Sequence, residues 1–245
     1  MKQILVLLAV LVSTIFFTIS TSRAYETDTF DTLGGPLKIG FLGHASLLIE
    51  FNGKNIYIDP CSQFADFSKL PKADIVLFTH EHKDHFDMEA LEAIRSENTL
   101  VVLTESCVRQ YQEGLVMRNE DVKIVQGIKI EGVPAYNIVH KRPSGFPYHP
   151  KGIGNGYIIT FGDKRVYIAG DTEKIPEMNE LSEIDIAFLP VNLPYTMTVE
   201  MAADAVKAIR PKVFYPYHYG ETDLSELEKL LKPLTEVEMR VRDMK

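Results

Sequence analysis

The sequence predicts an α+β fold in which two packed β-sheets lie between outer helices, a four-layer αββα sandwich. Hairpin-like strand pairs come first, strands and helices then alternate, and the same order begins again after about residue 128. Several apolar strand-like runs also end at a polar residue. Because ligands in layered α and β folds bind in loops at the carboxyl ends of strands, we expect these polar residues to meet at one edge.

Two hairpins are predicted from short polar turns between apolar runs. Residues 46–51 are separated from residues 55–58 by Asn52-Gly53-Lys54, and a second pair of runs flanks Gly162-Asp163-Lys164. Asn-Gly and Gly-Asp pairs adopt the backbone conformations of tight β-turns. Each half of the chain is therefore expected to contain antiparallel strands.

Three helices are predicted from capping residues followed by apolar positions at helical spacing. Asp87 precedes Met88, Leu91 and Ile94, and Thr198 precedes residues 199–209. Near the end of the chain, Ser225 and Glu228 have the spacing of a capping box. The helix that follows this box is expected to carry Leu227, Leu230, Leu231 and Leu234.

The first 24 residues are typical of a secretory signal peptide. Lys2 is followed by an apolar run over residues 4–19 and then by Ser22-Arg23-Ala24, a small-x-small cleavage pattern. We expect cleavage after Ala24, a mature domain of residues 25–245, and a periplasmic or secreted protein without stable membrane insertion. The alternative is an uncleaved anchor, although the run is short for a membrane span of about 20 residues.

The composition disfavours a nucleic-acid partner. The chain carries a formal net charge of −8, which becomes −10 when Lys2 and Arg23 leave with the signal peptide. Phosphate binding needs a basic surface. A small-molecule substrate is the expected partner, and the oligomeric state is not specified.

The two cysteines, Cys61 and Cys107, form neither a disulfide framework nor a C-x-x-C metal motif. An exported protein could form one bridge between them. The other interpretation is two buried free thiols.

The strongest chemical signal is the segment from Thr79 to His85, with the sequence THEHKDH, which holds three of the seven histidines. In extended chain His80 and His82 point the same way, so both imidazoles can reach one ion. Asp84 and His85 follow where the chain turns, and can face a second ion. Imidazole and carboxylate suit Zn²⁺, with Mn²⁺ or Fe²⁺ as alternatives. A solvated loop and a single-metal site are the competing interpretations.

Four other strand-end or loop residues are candidates for the same site. Asp171 after Gly170 is either a metal ligand or a loop cap, and His218 is either a ligand or a hydrogen-bonded core histidine. Asp59 is assigned to accept a hydrogen bond from the second ring nitrogen of a ligand histidine and so to orient it. The alternative is that Asp59 only begins a turn with Pro60. His44 has two interpretations. It contacts the substrate or positions a metal ligand, or it is a structural residue of a turn.

This pattern resembles the metallo-β-lactamase superfamily. The resemblance rests on the H-x-H-x-D-H motif at His80–His85, on Gly170-Asp171-Thr172 and on His218, and extends from about residue 37 onward. Further segments resemble the branch that includes L-ascorbate-6-phosphate lactonase. These segments are Gly43-His44-Ala45-Ser46, Ile58-Asp59-Pro60, Tyr136-Asn137 and His149-Pro150-Lys151-Gly152.

The resemblance implies the αββα sandwich and two metal ions at one edge. His80, His82 and a third histidine would hold the first ion. The second would be held by Asp84, His85 and His218, and Asp171 would bridge the two. A hydroxide between the ions would be the nucleophile, and Asp84 could take or return a proton.

Either His140 or His149 could be the third histidine. His140 follows residues 135–139, where alternation places it on the face of Tyr136 and Ile138, which a core would take. His149 lies in a glycine-rich loop that can bring a side chain over the strand ends, and its segment matches the position where the branch carries a ligand. We therefore choose His149.

Three functions fit these residues. The first is hydrolysis of an ester, lactone or amide; the second is a phosphodiesterase, for which Lys141, Arg142 and Lys151 could supply a cation. The third is a non-catalytic envelope protein that binds a metal or ligand. True β-lactamase activity is not expected. The zinc β-lactamases of subclass B1 resemble this chain only at the superfamily motif, and the cysteine that they use at the second metal has no matching residue near Asp171. An apolar pocket wall beside the metals could be formed by Phe146, Tyr148, Tyr195, Met197, Tyr217 and Tyr219.

Overall fold

Two seven-stranded β-sheets form the centre of the computed structural model, which describes residues 25–244. The predicted signal peptide, residues 1–24, lies outside the described residues. The first sheet consists of β1 (Thr27–Thr32), β2 (Gly35–Gly43), β3 (Ser46–Phe51), β4 (Lys54–Ile58), β5 (Ile75–Leu77), β6 (Leu100–Leu103) and β7 (Leu115–Val116). The second consists of β8 (Val122–Val125), β9 (Ile128–Ala135), β10 (Gly154–Phe161), β11 (Lys164–Ile168), β12 (Ile186–Pro190), β13 (Val213–Tyr217) and β14 (Glu238–Met239).

The two sheets repeat one topology. In each sheet the first four strands pair antiparallel in chain order and the last four pair parallel. This confirms the predicted α+β sandwich and the repeat of strand order after about residue 128. The Asn52-Gly53 hairpin is also confirmed: both residues have positive φ, and Phe51 pairs with Lys54.

Alternation along the strands separates two apolar layers. In β3, Leu47 and Ile49 belong to the large core that joins both sheets, whereas Leu48 belongs to a smaller cluster with Leu91 and Ile94 of the first helix. Successive strand residues face opposite sides, so one strand serves both layers. One face of the first sheet therefore packs in the core shared with the second sheet, and the other face packs against the first helix.

Three α-helices accompany the sheets: α1 (Met88–Ile94), α2 (Val199–Ile209) and α3 (Ser225–Leu231). Asp87 and Thr198 cap α1 and α2 through their side chains, as predicted. Short 3-10 turns lie at Phe67–Lys69, Cys107–Arg109 and Pro176–Asn179. In the part of the chain that the structure describes, no helix has the length and apolarity of a membrane span.

Two details of the sequence prediction are wrong. Ser225 is the first residue of α3 and forms no capping box; its backbone N–H donates to Asp223 Oδ1 at 2.9 Å, and α3 ends before Leu234. The run over residues 135–139 is not a strand beyond Ala135, and Ile138 and Val139 are exposed.

Cys61 and Cys107 are buried free thiols.

Candidate metal centre

The candidate site lies where parallel strands of both sheets end. Asp59 follows β4, Thr79 and His80 come shortly after β5, Asp171 comes shortly after β11, and His218 follows β13. Parallel strands that are neighbours in a sheet end at the same edge, and the two sheets are packed face to face. The predicted convergence of strand-end residues is what the structure shows.

The site consists of two groups of four side chains. Within each group every residue offers one ligand atom, and the four atoms lie within 4.8 Å of one another. The first group, here called cluster 1, is His80, His82, His149 and Asp171. The second, cluster 2, is His44, Asp84, His85 and His218. All of the predicted metal residues are therefore brought together, and the predicted third histidine, His149, lies in cluster 1.

Asp171 contacts both clusters. One carboxylate oxygen, Oδ2, lies 3.3 Å from His149 Nε2 and 3.5 Å from His218 Nε2, and the other, Oδ1, lies 3.3 Å from His85 Nε2. The side chain is 4% exposed. The carboxylate therefore lies between the two clusters, and its bridging of two ions stays a prediction.

Asp59 lies behind the site and holds two of its residues. Its Oδ2 accepts hydrogen bonds from His85 Nδ1 at 2.8 Å and from the Thr79 hydroxyl at 2.6 Å. The Thr79 oxygen in turn lies 3.0 Å from His80 Nδ1. These contacts occupy Nδ1 of both histidines and leave Nε2 facing the site, which is the arrangement that metal-ligating histidines adopt.

Asn137 does the same for the third histidine. Its side-chain oxygen lies 2.7 Å from His149 Nδ1 and 2.9 Å from the His149 backbone N–H. His149 Nε2 is then free to face His82 Nδ1, 3.2 Å away. His140, the competing candidate, is outside both clusters and pairs through Nδ1 with Glu173 Oε1 at 2.6 Å.

Glu173 fixes the loop that carries Asn137. This carboxylate is 1% exposed and accepts the backbone N–H groups of Ile138, Val139 and His140 at 2.6–2.7 Å. It also accepts from the Asn137 side chain at 3.2 Å. Because Glu173 lies two residues after Asp171, one short segment both contacts the clusters and clamps the loop.

His44 contacts the Asp84 carboxylate and the Phe64 ring. Its Nε2 lies 3.2 Å from Asp84 Oδ2, and its ring stacks on Phe64 at a centroid distance of 4.5 Å. The backbone carbonyl of His44 accepts from the His218 N–H at 2.9 Å. His44 therefore ties the loop after β2 to the end of β13.

The backbone is strained at the site. His44, Asp59 and His218 have φ values of 54°, 42° and 47°, a region that non-glycine residues occupy rarely. Such residues persist only where surrounding contacts hold them, and they concentrate at functional sites. Gly170 has φ of 66°, and a Cβ there would lie 2.8 Å from the Asn155 carbonyl, so only glycine fits before Asp171.

The electrostatics favour a cation. Burial opposes ionisation of Asp171, but His218, His85 and His149 outweigh it and hold the pKa of this carboxyl well below its usual range. Burial likewise opposes protonation of His85, but Asp171 and Asp59 hold its pKa well above the ordinary value. Burial lowers the pKa of His80. Asp171 is therefore ionised, and His80 is favoured in its neutral form, which is the form that binds a metal ion.

Several buried polar atoms of the described residues have no hydrogen-bond partner. Those at the site are His85 Nε2, Asp171 Oδ1, and both ring nitrogens of His218. An unpaired buried polar group is costly, so native proteins satisfy nearly all of them. Imidazole nitrogens and carboxylate oxygens grouped in this way fit divalent ions such as Zn²⁺.

The predicted aromatic wall is only partly correct. Tyr148 lines a cleft beside cluster 1 together with Ile153 and the histidines. Met197, Tyr217 and Tyr219 are buried and do not line this cleft. The Tyr217 hydroxyl instead accepts a hydrogen bond from the Gly170 N–H at 2.9 Å. Phe146 is 71% exposed. The sheet sandwich uses its aromatic residues mainly for packing.

Sequence reasoning assigned no role to three residues that support the site: Thr79, Asn137 and Glu173. Thr79 and Asn137 stand inside segments already singled out. Glu173 had one signal, an acidic residue directly after Asp171-Thr172, yet its partners lie more than 30 positions away.

Comparisons with known proteins agree with this geometry. Residues 38–218 match the family model described as "Beta-lactamase superfamily domain". The chain is 31% identical over 221 residues to a UPF0173 metal-dependent hydrolase from Pelotomaculum thermopropionicum, covering 84% of this chain and 96% of that protein.

Solved structures show the same fold. A protein from Parabacteroides distasonis described as a metal-dependent hydrolase is 46% identical, with a TM-score of 0.86, covering 90% of this chain and all of that one. A metallo hydrolase from Ignicoccus hospitalis is 27% identical, with a TM-score of 0.70, covering 85% of this chain and 95% of that one.

Proposed function

The chain belongs to the β-lactamase superfamily and is a metal-dependent hydrolase, and from this premise we propose that it cleaves an ester, lactone or amide bond in a small molecule. One observation carries the proposal. Asp171 contacts two adjacent His/Asp clusters that contain buried atoms without partners. The finer likeness to L-ascorbate-6-phosphate lactonase stays a prediction.

We assign the two clusters to two divalent ions, with Zn²⁺ as the first candidate and Mn²⁺ or Fe²⁺ as alternatives. His80, His82 and His149 would hold the first ion, whereas Asp84, His85 and His218 would hold the second. Asp171 would contact both. Bound divalent ions lower the pKa of water and neutralise negative charge that develops on oxygen.

His44 belongs to cluster 2 by distance, but we assign it to position Asp84. Its Nε2 is 3.2 Å from Asp84 Oδ2 and can donate a hydrogen bond to that oxygen. The ring is also held on one face by Phe64. In this role His44 fixes the orientation of the carboxylate.

Asp84 is the residue best placed to exchange a proton with the substrate. Its side chain is 42% exposed, whereas those of His85 and His218 are 0% and 3% exposed. A carboxylate at the open side of the site can take a proton from the attacking group and return it to the leaving group. Asp59, fully buried behind His85, can only position its partners.

The charges around the site favour a carbonyl substrate over a phosphodiester. Among the described residues, the cleft beside cluster 1 is lined by no lysine or arginine. Of the three predicted sources of positive charge, Lys151 pairs with Glu177 at 2.7 Å, Arg142 lies over the Tyr148 ring, and Lys141 does not line this cleft. A phosphodiester would usually be met by a free cationic group.

A substrate panel tests the proposal. Metal-loaded protein is assayed with a lactone, an ester, a β-lactam and bis-p-nitrophenyl phosphate, and compared with chelator-treated protein and with Asp171→Ala. We expect turnover of the ester or lactone, lost in both comparisons. Preferred turnover of the phosphodiester would favour the phosphodiesterase, and metal binding without turnover of any compound would favour a non-catalytic binding protein.

A further inference from the structure

A band of exposed apolar side chains lies beside the metal centre. Six of the twelve exposed large apolar side chains among residues 25–244 belong to two loops, and each of the six is at least 41% exposed. These six, here called the apolar rim, are Ile138, Val139, Phe146, Ile153, Leu193 and Tyr195. Single exposed apolar residues are ordinary, but a group of them marks a binding surface.

Two members of the apolar rim, Ile153 and Tyr195, border the cleft beside cluster 1. Ile153 lines that cleft together with Tyr148 and the cluster 1 histidines. The Tyr148 ring meets the Tyr195 ring edge-on at a centroid distance of 5.1 Å. A molecule with its reacting group at cluster 1 would therefore have apolar side chains next to it.

Hydrogen bonds to the buried side chains of Glu173 and Asn137 hold the backbone of three rim residues. Glu173 Oε2 accepts the backbone N–H groups of Ile138 and Val139 at 2.7 Å each, while the Asn137 side chain donates to the Tyr195 carbonyl at 2.9 Å. A buried carboxylate thus fixes a loop whose apolar side chains stay in water. Covering such a preorganised apolar surface is favourable by about 25 cal/mol per Å².

We propose that the apolar rim binds an apolar acyl or alkyl group of the substrate while the polar head of the substrate occupies the metal centre. The inference rests on the proposed function and adds a substrate class to it. It commits to a small amphiphilic molecule because Ile153 and Tyr195 of the rim border the cleft beside the metal centre. The predicted substrate is an ester, lactone or amide with a medium-length apolar chain.

Alkyl hydroxamates test the rim without requiring turnover, because the hydroxamate group chelates divalent metal. Calorimetry measures the Kd of acetohydroxamate, hexanohydroxamate and octanohydroxamate for protein loaded with zinc. Full burial of a methylene is worth about 0.8 kcal/mol, so a partly open surface should lower Kd about twofold per methylene.

Matched variants locate the effect. Phe146→Ser and Val139→Ser should reduce the dependence of Kd on chain length and leave both the Kd of acetohydroxamate and the zinc content unchanged. The control Ile124→Ser removes an equally exposed apolar side chain from β8, outside the rim, and should keep the wild-type dependence.

Three results would overturn the proposal in distinguishable ways. If zinc is bound but Kd is the same for every chain length, or the rim variants keep the full dependence, the rim has no role in substrate binding and the proposed function stands. If the protein binds none of Zn²⁺, Mn²⁺ and Fe²⁺, both proposals fail. A flat dependence together with a concentration-dependent dimer that Phe146→Ser dissociates would assign the rim to a second copy of the chain.

Discussion

Three histidines at this site have their second ring nitrogen held by another residue. Asp59 holds His85, Thr79 holds His80, and Asn137 holds His149. The contacts select the tautomer and aim the free nitrogen, which raises metal affinity typically by 10-fold to 100-fold. The role predicted for Asp59 agrees with these contacts, although its effect on catalysis stays a prediction.

The choice between His149 and His140 is open to direct test. We expect His149→Ala to lose about one ion per chain, because it removes a member of cluster 1, and His140→Ala to keep the wild-type metal content. His140→Ala is the matched control, since its backbone N–H can still donate to Glu173. Elemental analysis of both purified variants measures the difference, and the reverse pattern would transfer the role to His140.

Glu173 shows why part of the site could not be predicted from the sequence. The motif at residues 80–85 is local, so spacing and alternation suffice to group its side chains. Glu173 instead meets a loop about 35 positions earlier in the chain, and one sequence does not reveal which loop a buried carboxylate will clamp. Asn137 escaped assignment for the same reason.

Among secondary structure elements, those with a local signal were predicted most accurately. Asp87 and Thr198 cap α1 and α2, and Asn52-Gly53 forms the β3–β4 turn. The run over residues 135–139 has strand-like alternation, yet Glu173 takes the N–H groups that a strand would need. Tertiary contacts therefore determine the backbone conformation of this segment, and hydrophobic periodicity does not report such contacts.

Asp28 connects β1 of the first sheet to the second sheet and the C-terminal segment. Its carboxylate accepts from the Tyr215 hydroxyl of β13 and from Arg242 at 2.8 Å and 2.9 Å. Burial raises the pKa of Asp28, but these hydrogen bonds and the nearby arginine charge outweigh it and hold the pKa below its usual range. The ionised form therefore stabilises the fold.

We predict that Asp28→Asn lowers the free energy of unfolding at pH 7 by about 1–2 kcal/mol. A carboxyl with a lowered folded-state pKa stabilises the fold above its unfolded pKa and loses that contribution as pH falls through the folded value. The difference from wild type should therefore shrink below about pH 4. Urea denaturation across pH measures it, with the exposed Asp31→Asn in the same strand as control. A constant difference down to the lowest pH would contradict the assignment.

For the molecule as a whole, the repeated topology explains where the site lies. Both sheets change from antiparallel to parallel pairing in the same order, so the carboxyl ends of β4 and β5 meet those of β11 and β13 at one edge. The family resemblance made this arrangement predictable. The apolar rim was not predictable in this way, because the exposure of Phe146 and Val139 depends on the conformation of the loops that carry them.

Export is a separate prediction for the whole chain, and it rests on residues 1–24 alone. We propose that the mature protein begins at Tyr25, since Ser22-Arg23-Ala24 matches a signal peptidase site. N-terminal sequencing or intact mass of protein from the native envelope fraction measures it. A chain that still begins at Met1 in the cytosolic fraction would show that this segment is not a cleaved signal.

The metal content of Asp171→Ala tests the central claim most directly. If Asp171 contacts two ions, wild-type protein should carry about two divalent ions per chain, and Asp171→Ala should lose metal and turnover together. Asp204→Ala, an exposed aspartate of α2 that pairs only with Lys207 among the described residues, should keep both. An Asp171→Ala protein that retains two ions and full turnover would contradict the account.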